Sequence, residues 1–129
     1  MENFFSVRIA SFKYAFSGLF HVLRTQGNSW IHLLATILSI FLAYWLRLPT
    51  TDWAIVVLTI VMVWTAEIMN TAIETLVNLI SPQEHPLAKI IKDVSAAGVL
   101  IAALGSIFIG LLLLGPPLWL RINSLISAR

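Results

Sequence analysis

Residues 53–80 read WAIVVLTIVMVWTAEIMNTAIETLVNLI. Up to Ala66 the stretch carries no charge. From there Glu67, Asn70, Glu74 and Asn78 recur at spacings of three and four. As a helix it is ~42 Å long at ~1.5 Å per residue, more than a ~30 Å hydrocarbon core needs. At ~100° per residue the four polar side chains fall within an arc of roughly 80°, with Thr71 beside them. The reading is therefore a membrane span with a polar stripe along one face. Counted from Trp53, Glu67 lies ~21 Å and Glu74 ~32 Å along the axis, so the stripe runs from within one leaflet to its interface. A charged side chain in hydrocarbon is expensive, so the stripe needs a function to account for it.

The rest of the chain agrees with a membrane setting. Of its 129 residues 59% are apolar and 11% charged, against roughly 25% charged in a soluble domain. The mean hydropathy is +0.91. The length allows one domain, and the absence of cysteine excludes disulfides, thiolate metal ligands and cysteine nucleophiles. A net charge of +2 with scattered basic residues gives no footprint for nucleic acid.

Upstream, residues 31–48 are predominantly apolar, with His32 near the start and Arg47 near the end, which predicts a first span. Pro49 and Asp52 in RLPTTD (47–52) predict a helix stop followed by an N-cap. Downstream, SPQEHPLAK (81–89) predicts a loop outside the membrane. A third span is expected over 93–114, broken by GPP at 115–117. Before the first span, Phe5, Ile9, Phe12, Phe16, Leu19, Phe20 and Leu23 recur at helical spacing among Arg8, Lys13 and Arg24. That periodicity predicts an amphipathic helix over about 3–25, lying on the membrane or packed outside the spans, and no cleavable signal peptide. The fold class is thus all-α: a surface helix plus three transmembrane helices. Arg8, Lys13, Arg24, Lys89 and Lys92 would share one side and Arg47, Arg121 and Arg129 the other. This bias places the N-terminal helix and the 81–92 loop in the cytoplasm.

Three explanations compete for the stripe. Polar residues can bind helices together in a structural membrane subunit, which suits Asn70 or Asn78 better than two carboxylates. A small oligomeric ion or proton transporter would also use buried glutamates. In a catalytic site one carboxylate takes a proton and another holds a divalent metal. Lys92 and Asp93, expected at the start of the third span, favour the last. A lysine beside a helix N-terminus suits phosphate, although Asp93 capping the helix and Lys92 reaching the headgroups is an alternative. Ala96, Ala97, Gly98, Ala102, Ala103 and Gly105 give this span a small-residue surface that would pack closely against the stripe.

AEIMNTAIETLVN (66–78) and HPLAKIIKDVSAAGVLIAA (85–103), together with SFKYAFSGL (11–19), closely resemble the small prokaryotic diacylglycerol kinase family, which includes the undecaprenol kinases of Gram-positive bacteria. The likeness covers residues 8–110 or so and includes the order of the elements. It implies a homotrimeric lipid kinase of the bacterial cytoplasmic (inner) membrane, its N-terminus cytoplasmic and its active sites shared between subunits. Such an enzyme transfers the γ-phosphate of ATP, with Mg2+, to diacylglycerol or undecaprenol. Carried over position by position, Glu67 is the general base for the lipid hydroxyl, and Asn70 orients the reacting groups. Glu74 is a metal ligand, and Lys92 and Asp93 serve the nucleotide phosphates. Gln26 stands where the family commonly has a metal-binding glutamate that also serves ATP, and Asn78 where an aspartate is usual. Neither departure touches Glu67, so activity is expected to be retained with a higher magnesium requirement. SPQEHPLAK resembles the undecaprenol branch more than the Gram-negative diacylglycerol branch.

Overall fold

The computed structural model describes the backbone of residues 4–127 and the side chains of 7–127. Asn3 and the Phe5 side chain, expected in the surface helix, and Arg129 lie outside the described residues. Four helices succeed one another: α1 (Phe4–Thr25), α2 (Gly27–Trp45), α3 (Thr50–Ile80) and α4 (Pro86–Ser127). Among the described residues there is no strand. α2, α3 and α4 are each long and apolar enough to cross a membrane. α3 and α4 pack together most extensively, α2 lies against α3, and α1 meets α2 and α3 at one end.

The packing is that of a bundle meant for lipid. Leu58, Phe108 and Leu111 are roughly two-thirds exposed, while Glu67, Asn70, Thr71 and Ser29 are buried. Lipid is as apolar as leucine, so aliphatic side chains gain little by turning inward and polar groups gain partners by doing so. One cluster of buried apolar side chains sits at the end remote from Gln26. There Ala43, Leu48 and Val56 cluster with Trp53, Ile60, Leu113 and Leu114.

The corner between α1 and α2 is made by Gln26, whose backbone is extended (φ −105°, ψ 113°). Buried Ser29 latches it, its hydroxyl 2.6 Å from the Gln26 carbonyl and 3.3 Å from that of Val22. α2 ends in a turn where Leu48 N–H donates to Ala43 and Arg47 N–H to Tyr44 (both 3.1 Å). This Schellman arrangement places Arg47 in the left-handed region, φ 55°. The apolar contact that accompanies such a turn is present, because Leu48 and Ala43 share the core cluster.

Three sequence expectations are corrected. Asp52 does not cap α3; Pro49 holds the N-cap position without a side-chain bond, and Asp52 lies in the first turn, where its charge favours the helix dipole. The helix that carries the third span begins at Pro86, not Asp93. Proline is well suited to the first helical position, since its missing N–H has no intrahelical partner there, and His85 Nδ1 accepts the Leu87 N–H at 3.2 Å as the cap. Finally, GPP does not break the helix: α4 passes through Pro116 and Pro117 to Ser127. The lost donors would have served the carbonyls of Leu112 and Leu113. These lie ~30 Å from Asp93 along the axis, about one hydrocarbon thickness away.

Candidate active site

The stripe forms as spacing requires, and burial grades along it. Glu67 is 2% exposed, Asn70 7% and Thr71 4%, Glu74 is half-buried, and Asn78 is exposed. Asn70, Glu74 and Asn78 each meet another element. Gln26 Nε2 donates to Glu74 Oε2 at 3.0 Å, so the corner between α1 and α2 is tied to α3 across 48 positions of chain. Asn70 Nδ2 donates to the other Glu74 oxygen at 3.1 Å. Ser95 Oγ from α4 lies 2.6 Å from Asn70 Oδ1 and 2.9 Å from the Lys92 carbonyl. Lys92 Nζ donates to Asn78 Oδ1 at 2.6 Å.

Helical phase accounts for this assembly. Lys92 and Ser95 are three apart and share the face of α4 that packs on α3. Each meets an asparagine of the stripe, two turns apart on α3. Asp93, one position on, turns away and pairs instead with Lys89 at 2.7 Å on the exposed surface of α4. The helix start at Pro86 also places Lys92 and Asp93 in its second turn rather than at the N-terminus. Lys92 therefore reaches the site from the side of a helix. Beyond it, Asn78, His85, Lys89 and Lys92 line an open cleft at the same end of the bundle.

Glu67 lies deeper, with His32 of α2 across from it, Nε2 3.7 Å from Oε2. Neither atom has a hydrogen-bond partner among the described residues. Thr71 Oγ1 donates to the Glu67 backbone carbonyl at 2.9 Å and leaves the carboxylate untouched. His32 also lines a cleft between α2, α3 and α4, together with Thr36, Ser39, Thr59 and Ser106.

Among the expected residues, then, Gln26, Asn70 and Glu74 are joined directly, and Lys92 joins through its carbonyl by way of Ser95 while its ammonium goes to Asn78. Glu67 is close but separately enclosed, and Asp93 faces away. Sequence reasoning passes over Ser95 and His32. Ser95 reads as one more small residue of a packing surface, although its three-residue spacing from Lys92 marks the same face. His32 reads as a polar residue tolerated at the start of a span.

Among the described residues no three histidine, cysteine or acidic side chains converge as a metal cluster. Magnesium does not demand one, since it binds through one or two carboxylates and takes its other ligands from phosphates and water. Glu74 with the Gln26 amide fits that mode. A half-turn of the amide would present its oxygen where its nitrogen now stands, leaving the carboxylate to supply the charge.

A bundle of three membrane-crossing helices, with a buried carboxylate, an amide-bound carboxylate and a lysine gathered at one end, has the build of a small integral-membrane kinase. Residues 13–114 match the family model described as Prokaryotic diacylglycerol kinase. The chain belongs to that family. It is 40% identical over 111 residues to the diacylglycerol kinase of Synechocystis, covering 85% of this chain and 63% of that protein, so it spans under two thirds of that relative. Undecaprenol kinase of Bacillus subtilis is 37% identical over 108 residues, covering 84% of this chain and 88% of its own length. The diacylglycerol kinase of Escherichia coli is 27% identical over 112 residues, covering 76% and 92% respectively.

Proposed function

We propose that the chain transfers the γ-phosphate of ATP to the hydroxyl of a long-chain membrane lipid, with Glu67 as general base. The observation that carries the reading is the linked cluster of Gln26, Asn70, Glu74 and Ser95, which joins carboxylate and amide groups of α3 and the corner between α1 and α2 to the backbone of α4 at Lys92, whose ammonium meets Asn78 of the same stripe. An alcohol is a weak nucleophile, so a carboxylate must accept its proton as it attacks phosphorus. Glu67, buried within the span, is placed for a hydroxyl arriving from the lipid. Phosphoryl transfer depends otherwise on positioning and charge. Lys92 serves the nucleotide phosphates from the open cleft, and Asn70, held by Ser95, orients the reacting groups. Asp93 acts on the nucleotide through Lys89, which its charge holds in the same cleft.

Mg2+ would be held by Glu74 and the oxygen of Gln26; when bound, it neutralises phosphate oxygens. The enzyme sits in the bacterial inner membrane as a homotrimer with its N-terminus cytoplasmic. α1 lies on the surface, where its exposed Ile9, Phe12, Phe16 and Phe20 would enter the headgroup boundary. The acceptor is diacylglycerol or undecaprenol, since relatives named for each are similar to the chain at 40% and 37% identity.

The test supplies purified protein with labelled ATP, magnesium and each alcohol in parallel vesicles. Labelled lipid is expected with at least one acceptor, and Glu67→Gln should abolish it while the protein still assembles and melts as the parent does. Transfer by Glu67→Gln at the parental rate would remove the base assignment.

A further inference from the structure

We propose that His32 is the positioning residue of the base, donating Nε2–H to the Glu67 carboxylate and fixing its orientation. The inference rests on Glu67 as base. It comes from an accounting of donors. Glu67 is 2% exposed, and a buried carboxylate requires a partner. Within the site the other donors are committed elsewhere. Gln26 and Asn70 each direct an N–H to Glu74, Lys92 directs one to Asn78, Ser95 has a single proton shared between Asn70 Oδ1 and the Lys92 carbonyl, and Thr71 donates to backbone. His32 alone faces the carboxylate, and its Nε2 is equally without a partner among the described residues. The 3.7 Å gap exceeds an N–H···O hydrogen bond by only about 0.7 Å, which a small ring rotation closes.

The position of His32 gives this pairing a use. Its ring also lines the hydroxyl-bearing cleft between α2, α3 and α4, so it borders both the lipid side and the base. In the reaction the acceptor O–H bond breaks and its proton passes to Glu67. The acceptor oxygen bonds to the γ-phosphorus as the bond to the ADP oxygen breaks, and His32 keeps its own proton throughout. A ring donating to Oε2 leaves the other carboxylate oxygen free for the incoming hydroxyl.

The experiment compares the parent, His32→Gln and His32→Leu in full kinetics with the acceptor the parent uses, beside histidine-ring 15N spectra of the assembled enzyme. Glutamine keeps a donor of similar reach and leucine does not. His32→Leu is expected to lower kcat about 10- to 100-fold with KM for ATP within about twofold, while His32→Gln stays within about fivefold of the parent. Of the three histidines, His32 is assigned by its loss in His32→Gln, and its Nε2 signal is expected to move in Glu67→Gln. Equal losses in both variants, a loss confined to KM, or a His32 spectrum indifferent to Glu67→Gln would each overturn the proposal. Should His32→Leu not assemble, His32→Gln and the spectra still decide. Failure of the base itself is distinguishable, because Glu67→Gln would then turn over normally while the ring signal still reported contact.

Discussion

Gln26 is where the chain departs from the family pattern, and its environment shows what the departure does. An amide can donate to Glu74, so the corner closes on α3 without a cation. In Gln26→Glu two carboxylates would face each other at about 3 Å, and that repulsion is relieved only by a bound metal. The variant should melt at lower temperature without magnesium and reach half-maximal activity at a several-fold lower magnesium concentration than the parent. Coincident magnesium curves would dismiss the idea. Ser95 calls for a second substitution. In Ser95→Ala the buried Asn70 loses the partner of its carbonyl, at about 1 kcal/mol, and kcat should fall roughly five- to tenfold by the same arithmetic, with the fold intact by circular dichroism. Asn78, the other departure, accepts the bond that fixes Lys92. An aspartate there would hold the lysine more tightly. The neutral residue leaves the ammonium its full charge for phosphate.

At the scale of elements, a good part of this is legible in the sequence. The period of Glu67, Asn70, Glu74 and Asn78 defines a face, and the structure shows that face meeting Gln26 and α4. The apolar runs define three spans. Prolines mislead at both ends of α4, for different physical reasons. Pro86 reads as a breaker although it occupies the first helical position, where it costs nothing and the His85 ring completes the cap. His85→Ala should cost about 1 kcal/mol, as cap losses do, seen as faster amide exchange in the first turn of α4. At Pro116 and Pro117 the helix continues because residues 118–127 are themselves helix-forming. Replacing both by alanine restores two donors, and the detergent-solubilised protein is expected to melt several degrees higher. What no pattern discloses is pairing. That Asp93 turns to Lys89 while Lys92 turns inward depends on the rotation of α4 about its axis, which is set by its contact with α3.

On the whole-molecule scale the two ends of the bundle differ in what joins them. The end remote from Gln26 is closed by Ala43, Leu48 and Val56 and by Arg121 lying 6.0 Å over the Trp45 ring. The other end is joined by single polar bonds around Glu74 and opens into the cleft lined by Lys89 and Lys92. Native-state exchange should therefore protect residues 41–60 well beyond residues 70–95 at equal depth, and binding of ATP with magnesium should narrow the difference. Equal protection at the two ends would contradict it. A strained turn bears on the closed end. Arg47 holds a left-handed conformation that glycine adopts freely, so Arg47→Gly should raise stability by about 0.5–1 kcal/mol without altering activity.

The buried stripe of α3 also governs how the protein is made. Inserted without α4, α3 would carry Asn70 with no Ser95 to receive it and Glu67 with only His32 of α2 beside it, and a charge at the centre of a span costs about 2.5–3.5 kcal/mol. α4 is wholly apolar from Val94 through Trp119 apart from Ser95 and Ser106, and it is the helix that covers the stripe. The five-residue connection between them, Ser81–His85, is short enough for the two to leave as a hairpin. Biogenesis thus has a required order: α3 must wait for α4, and a nascent chain stopped at Ile80 should remain associated with the insertion machinery until the next helix emerges.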